Sequence, residues 1–167
     1  RHPLQHGAKR WHSAARRGRK VRASEERPLV VVAEEHRQRP AATAACQQLV
    51  RELAKGVDVL VENYKVGDLA RYGLGYEDLA KLNPGLIYCS VTGFGQTGPY
   101  KDRPGYDFMA QGMGGLMSIT GEADGMPGGG PQRVGIPIID MTTGMYASIA
   151  ICAALANRAV TGKGQWI

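Results

Sequence analysis

Histidine is absent from the chain after His36. The four that exist (His2, His6, His12 and His36) all lie in the first segment. The three cysteines, Cys46, Cys89 and Cys152, stand far apart and form no C-x-x-C pair. Without Cys and His in ligand spacing, metal binding and a disulfide framework are both disfavoured, and a cytoplasmic, reducing setting is expected. No Gly-Lys-Ser/Thr is present, which excludes a P-loop. The longest apolar run, Met145 to Ala156, is well short of the roughly 20 residues that span a bilayer, so no membrane role is expected. No internal repeat is present.

Charge is present but unevenly placed. The net charge is +6, yet residues 1–50 hold 11 Lys+Arg against 4 Asp+Glu, and the remainder sums to −1. The body is therefore near neutral, and the basic average is no argument for nucleic-acid binding. From Arg1 to about Arg39 no periodicity holds, the first acidic residue is Glu25, and only Leu29–Ala33 could make a strand. Residues 1–46 read as an irregular basic leader, disordered or non-native, with a basic interaction tail as the alternative. The length suits one domain. A start without Met and an apolar ending at Gln165-Trp166-Ile167 read as a piece of a longer protein.

After Pro40 the pattern becomes regular. Leu49, Val50, Leu53 and Ala54 share one face of a helix expected over Thr43–Lys55, with Gly56 as its stop. Asp58–Glu62 predicts a short strand, Val66–Tyr72 and Tyr76–Leu82 two brief helices, and Leu86–Thr92 a second strand. A helix between two strands implies a parallel pair, hence an α/β fold with an open, mainly parallel, Rossmann-like sheet. Gly- and Pro-rich connections fill 93–105 and 121–137, and a last helix is expected from Asp140 to about Arg158.

Gly93-Phe-Gly-Gln-Thr-Gly98 is a literal G-x-G-x-x-G after a predicted strand. The context is wrong for a dinucleotide site, because prolines at 99 and 104 follow where a helix should open. Such a loop brings bare backbone close to something. Asp140 carries two readings. It is a good helix N-cap, worth about 1 kcal/mol. It also follows Ile138 and Ile139, which suggest a strand end, where open sheets place ligands. Gly144, one turn on, costs roughly 1 kcal/mol inside a helix unless something packs closely there.

The segment VDVLVENYKVGDLARYGLGYEDLAKLNPGLIYCSVTGFGQTGPYKDRPGYD (57–107), with GLMSITG (115–121) and IPIIDMTTGMYA (136–147), closely resembles the family III CoA-transferases, the formyl-CoA transferase or carnitine CoA-transferase group. The resemblance runs from Gln47 to Ile167, so residues 47–167 are expected to be part of that family's large, CoA-binding domain. It implies transfer of CoA from an acyl-CoA thioester to a carboxylic acid, with the family's catalytic aspartate falling on Asp140. An aspartate is ionised at neutral pH and can attack a thioester without a separate base. The implied course runs through an acyl-aspartate anhydride and an aspartyl-CoA thioester. No permanently bound cofactor is implied; CoA arrives as substrate.

CoA contacts are implied for Asn63, Tyr64, Lys65 and Arg71, the cations suiting the phosphates of CoA, although solvated surface charge is the ordinary fate of such residues. Tyr106 matches an active-site aromatic of some members, against the plainer reading of a half-buried core tyrosine. Lys101 and Arg103 suit the rim of the nucleotide site. The resemblance also implies an interlocked homodimer for the full-length protein. The racemase-type members are the enzymatic alternative, disfavoured because the His of their His/Asp pairing has no counterpart outside the head. A non-catalytic CoA-binding fragment with a basic tail is the other.

The familiar pattern stops abruptly upstream of Gln47, which suggests a reading-frame error or a fused segment in the head. If so, peptides spanning Arg37 to Arg51 will be missing from a mass-spectrometric map of the protein from its natural source. Their detection refutes a frame error.

Overall fold

The computed structural model describes the backbone of residues 30–34 and the whole of residues 43–167. The strands are β1 (Val30–Glu34), β2 (Val59–Asn63), β3 (Ile87–Ser90) and β4 (Gln165–Trp166). They form one sheet in the order β1-β2-β3-β4, and every neighbouring pair is parallel. The fold is thus α/β around a parallel sheet. The order runs without reversal among the described strands. The head is not irregular throughout: Val30–Glu34, one residue on from the expected 29–33, pairs with the whole of β2. The remaining expectations for residues 1–29 and 35–42 lie outside the described residues.

The first helix, α1 (Ala44–Gly56), starts one residue after the expected Thr43, which caps it. The Thr43 hydroxyl accepts from the Cys46 amide at 3.3 Å. Only Val50 and Ala54 of the expected stripe pack inward; Leu49 and Leu53 are exposed. Helix does not form over Val66–Tyr72. Gly67 adopts φ 81°, a left-handed conformation that no α-helix passes through, and only a short 3-10 turn, Ala70–Tyr72, survives before Gly73 at φ 66°. The second helix, α2 (Tyr76–Leu82), matches its expected bounds. Just beyond it, the Asn83 amide group donates to the Ala54 and Val57 carbonyls, both at 2.9 Å. It thereby satisfies two acceptors at the end of α1.

The expected strand at Leu86–Thr92 is trimmed to β3. The loop after it closes on itself. Gly93 and Gly105 meet backbone to backbone, so closely that a Cβ on either would overlap the other. A seven-residue helix, α3 (Asp107–Met113), follows, and a 3-10 turn, Leu116–Ile119. Neither is marked by an apolar period in the sequence. The last helix, α4 (Ile138–Thr161), is 24 residues long and begins two residues before Asp140. Ile138 and Ile139 are therefore its first turn and not the end of a strand. Gly162 stops it at φ 72°, its amide bonding the Arg158 carbonyl at 2.7 Å.

Two clusters of buried side chains hold the sheet. On one face Leu60 and Tyr88 pack with Ala54 of α1, Leu79 of α2 and the intervening Val57, Leu69, Leu74 and Leu86. On the other, Val59 and Ile87 meet Ala154, Ile151 and Leu155 of α4. Alternation along β2 produces this division, since neighbouring residues point to opposite faces. Arg158 locks α4 in place: its guanidinium donates to the Asp58 carboxylate at 2.7 Å and to the Gly85 carbonyl at 2.8 Å. By length and composition alone α4 is apolar enough to cross a membrane, but here it serves as a crossover helix seated on the sheet.

The same alternation places a carboxylate, Glu62, on the α1–α2 face, where it is buried. Its Oε2 accepts from the Tyr64 amide at 2.7 Å. Burial raises its pKa above the ordinary 4.5; hydrogen bonds from Ser90 and Tyr64 offset part of this, and Asp68 adds to the rise. A carboxyl with a raised folded-state pKa holds its proton more tightly when folded. Its contribution is therefore greatest below 4.5 and declines as pH rises through the raised value. Denaturant titrations between pH 4 and pH 8 are expected to show wild type losing stability relative to Glu62→Gln as pH rises. Parallel curves for the two proteins contradict this account.

Candidate active site

Parallel strands fix which edge of the sheet faces the site. Because α4 returns the chain from the end of β3 to the start of β4, it runs antiparallel to both. Its C-terminal end lies where Arg158 grips Asp58 and Gly85, at the strands' beginnings. Its N-terminus is therefore at the carboxyl edge, the usual ligand edge of an open α/β sheet. A 24-residue helix is about 36 Å long, whereas β3 with four residues spans about 13 Å. The first half of α4 consequently projects beyond the strands. Asp140 sits near its tip and is exposed.

The capping reading of Asp140 is overturned by its neighbours. Position 137, before the first helical residue, is a proline, so no amide exists there for a third-position carboxylate to reach back to. The next three amides are already engaged. Ile138 donates to the Ile136 carbonyl at 2.8 Å. Ile139 and Asp140 both donate to Oδ1 of Asp107, at 2.8 and 3.3 Å. The cap is thus supplied from α3, across 32 residues of chain, and the Asp140 carboxylate accepts no hydrogen bond among the described residues. Beside Asp107, the Tyr106 ring is 58% exposed and stacks on Phe108 with centroids 6.0 Å apart. Tyr106 and Asp140 are thereby brought to one locality, and Tyr106 is not a core residue. Gly144 has open space over its Cα, so no close packing within the described chain explains it.

The implied CoA contacts lie at the same edge but around β2. Asn63 ends that strand and is exposed. Tyr64 is buried in the core cluster of the α1–α2 face. Lys65 is exposed at the mouth of a cleft of about 220 Å³ whose lining includes Glu62, Tyr76, Tyr88, Ser90 and Trp166. Arg71 lies on the 3-10 turn and pairs with Asp68. Lys101 and Arg103 are exposed in the glycine loop, Arg103 lying over the Tyr100 ring. Asp140 is not among the residues that line this cleft.

Two features escaped the sequence reading. One is the cleft, floored by Glu62 and walled by Tyr76, Tyr88 and Trp166, whose centroids lie 6.1 to 6.5 Å apart. Trp166 donates from Nε1 to the Ser90 hydroxyl at 2.8 Å, and Tyr88 donates to the Leu74 carbonyl at 3.1 Å. Burial, with the charge of Glu62, pushes the Tyr88 hydroxyl up, and burial raises the Cys89 thiol in the same way. An acidic residue in phase with Leu60 on a short strand was the available signal. The other is Asp107 with Gln111, one turn apart on α3 and visible only as spacing.

The family model CoA-transferase family III matches residues 41–167. A succinate–glutarate CoA-transferase of Agrobacterium fabrum is 55% identical over 119 residues, 71% of this chain and 29% of that protein. The human succinyl-CoA:glutarate CoA-transferase is 48% identical over 120 residues, 72% of this chain and 26% of that protein. The crystal structure of a CAIB/BAIF family protein from Brucella suis aligns with a TM-score of 0.72 at 54% identity, over 76% of this chain and 32% of that one. The chain spans under a third of the length of these relatives. With a family model covering residues 41–167 and relatives of this identity, the chain belongs to CoA-transferase family III.

Proposed function

We propose that the protein moves CoA from an acyl-CoA to a free carboxylic acid, with Asp140 as the nucleophile. The observation that carries this reading is the Asp140 carboxylate itself: exposed, and freed from capping its own helix because other acceptors hold the first amides of α4. The relatives named for succinate, glutarate and succinyl-CoA support dicarboxylic acids as the acids exchanged. The parallel sheet with helices on both faces fits a Rossmann-like large domain, and three free thiols suit a reducing cytoplasm.

The chemistry balances without redox change. One Asp140 oxygen attacks the acyl thioester carbonyl, giving a mixed anhydride and CoA thiolate. The thiolate attacks the Asp140 carbonyl carbon, forming an aspartyl-CoA thioester and releasing the donor carboxylate. The acceptor carboxylate attacks that thioester, regenerating an anhydride and the thiolate. Attack of the thiolate on the acceptor's acyl carbon then yields the new acyl-CoA and returns Asp140 as a carboxylate. Asn63, Lys65 and Arg71 bind and orient CoA in this reading, Tyr64 holds the end of β2, and Tyr106 borders the acyl group. The full-length enzyme works as a homodimer.

Incubation of the intact protein with succinyl-CoA and hydroxylamine is expected to leave a hydroxamate on the peptide carrying Asp140. Asp140→Ala should lower turnover with glutarate by at least about 10³-fold while CoA binding persists. Ordinary turnover by this variant sinks the assignment.

A further inference from the structure

An aspartate in the first turn of a helix has a strong reason not to be a nucleophile. Its carboxylate is drawn to the unpaired amides of its own N-terminus, which it can cap. A carboxylate so occupied has one lone-pair direction spent and its orientation fixed inward. Asp140 stands in that position, two residues after the first helical residue Ile138. What keeps it free is therefore a functional question.

Groups outside the helix answer it. Pro137 withholds the amide that a third-position carboxylate would capture. The Ile138 amide is held by the Ile136 carbonyl at 2.8 Å, and Asp107 takes the next two, its Oδ1 lying 2.8 Å from the Ile139 nitrogen and 3.3 Å from that of Asp140. Asp107 is in turn fixed by Gln111, which is fully buried. The Gln111 Nε2 donates to the second carboxylate oxygen of Asp107 at 2.5 Å and to the Ile136 carbonyl at 3.4 Å. Its Oε1 accepts from the Val134 amide at 2.9 Å. One side-chain pair on α3 thus holds the strap from Val134 to Ile136 and the first turn of α4 together. The hydrogen-bonding capacity of Asp107 and Gln111 goes into the segment that presents Asp140.

We propose that Asp107 is a positioning residue for Asp140: by capping α4 from outside, it denies the Asp140 carboxylate its own helix and keeps it aimed outward for attack. Gln111 sets the angle of Asp107. This rests on the reading of Asp140 as the nucleophile and adds to it the device that maintains the nucleophile. A merely structural cap would affect melting and leave turnover per folded molecule untouched. The proposal predicts the opposite emphasis.

The test uses the intact protein with succinyl-CoA as donor and glutarate as acceptor. Asp107→Ala is expected to lower kcat about 10²-fold, the scale of loss for a misplaced reacting group, with KM for succinyl-CoA within about twofold of wild type. Asp107→Asn loses the Gln111 bond but keeps an oxygen for both amides, and is expected to recover to within about tenfold. Wild-type kcat in a folded Asp107→Ala protein overturns the proposal. Should that variant fail to fold, Pro137→Ala decides. It offers Asp140 the missing amide, so kcat should fall about tenfold while the melting temperature holds or rises. Unchanged kcat there overturns the proposal equally. An Asp140→Ala control separates the two levels. If it is inactive while Asp107→Ala is fully active, only the positioning role fails; if it retains turnover, the nucleophile assignment fails with it.

Discussion

The mismatch in length between α4 and the sheet governs what the rest of the molecule can do. Parallel strands require a return path, and this one is made by a helix more than twice as long as the strands it connects. Its C-terminal half is committed to packing, through Ile151, Ala154 and Leu155, and to the grip of Arg158 on Asp58 and Gly85. Its N-terminal half has no sheet beneath it, which is why Met145, Tyr146 and Ile149 are exposed. A lever anchored at one end places its far end reproducibly, and Asp140 is at that end.

The anchored part is conventional in its energetics. Fully buried Leu60, Leu79, Leu86 and Ile87 supply the apolar contact, each worth about 1.5–3 kcal/mol on burial. Polar groups in the interior are consistently paired: no buried side-chain nitrogen or oxygen among the described residues lacks a partner. Glu62 is the costly exception in charge, being desolvated yet held by Ser90 and the Tyr64 amide. That cost falls beside a cleft at the ligand edge. The free end of the lever depends on different physics, a few directional hydrogen bonds from α3 and little apolar burial.

This division also explains what could be read from the sequence. Elements built on periodicity and local caps were legible: α1 behind Thr43, α2 over Tyr76–Leu82, and the parallel pairing of β2 with β3. Elements limited by one backbone conformation were overcalled, as at Gly67, where a single left-handed residue ended an otherwise plausible helix. For the proposed site, the sequence offers the residue that the resemblance singles out but not its setting. Asp140 stood out through motif resemblance, yet its local rule, an acidic residue at a helix start, pointed to capping. Only the tertiary fold shows that Asp107, 33 positions earlier, has taken that task. Long-range substitution of one cap for another leaves no local pattern to detect.

The contact between Gly93 and Gly105 gives the loop after β3 a closed neck. Two chain segments that touch at the neck enclose residues 94–104 as an excursion pinned at its base. Within it, Phe94 packs edge-on against Tyr100 and the Arg103 guanidinium lies over the same ring, so the tip is held by its own side chains. Entry and exit of the excursion at one point leave its outline to be set by contacts among its own side chains, above the neck.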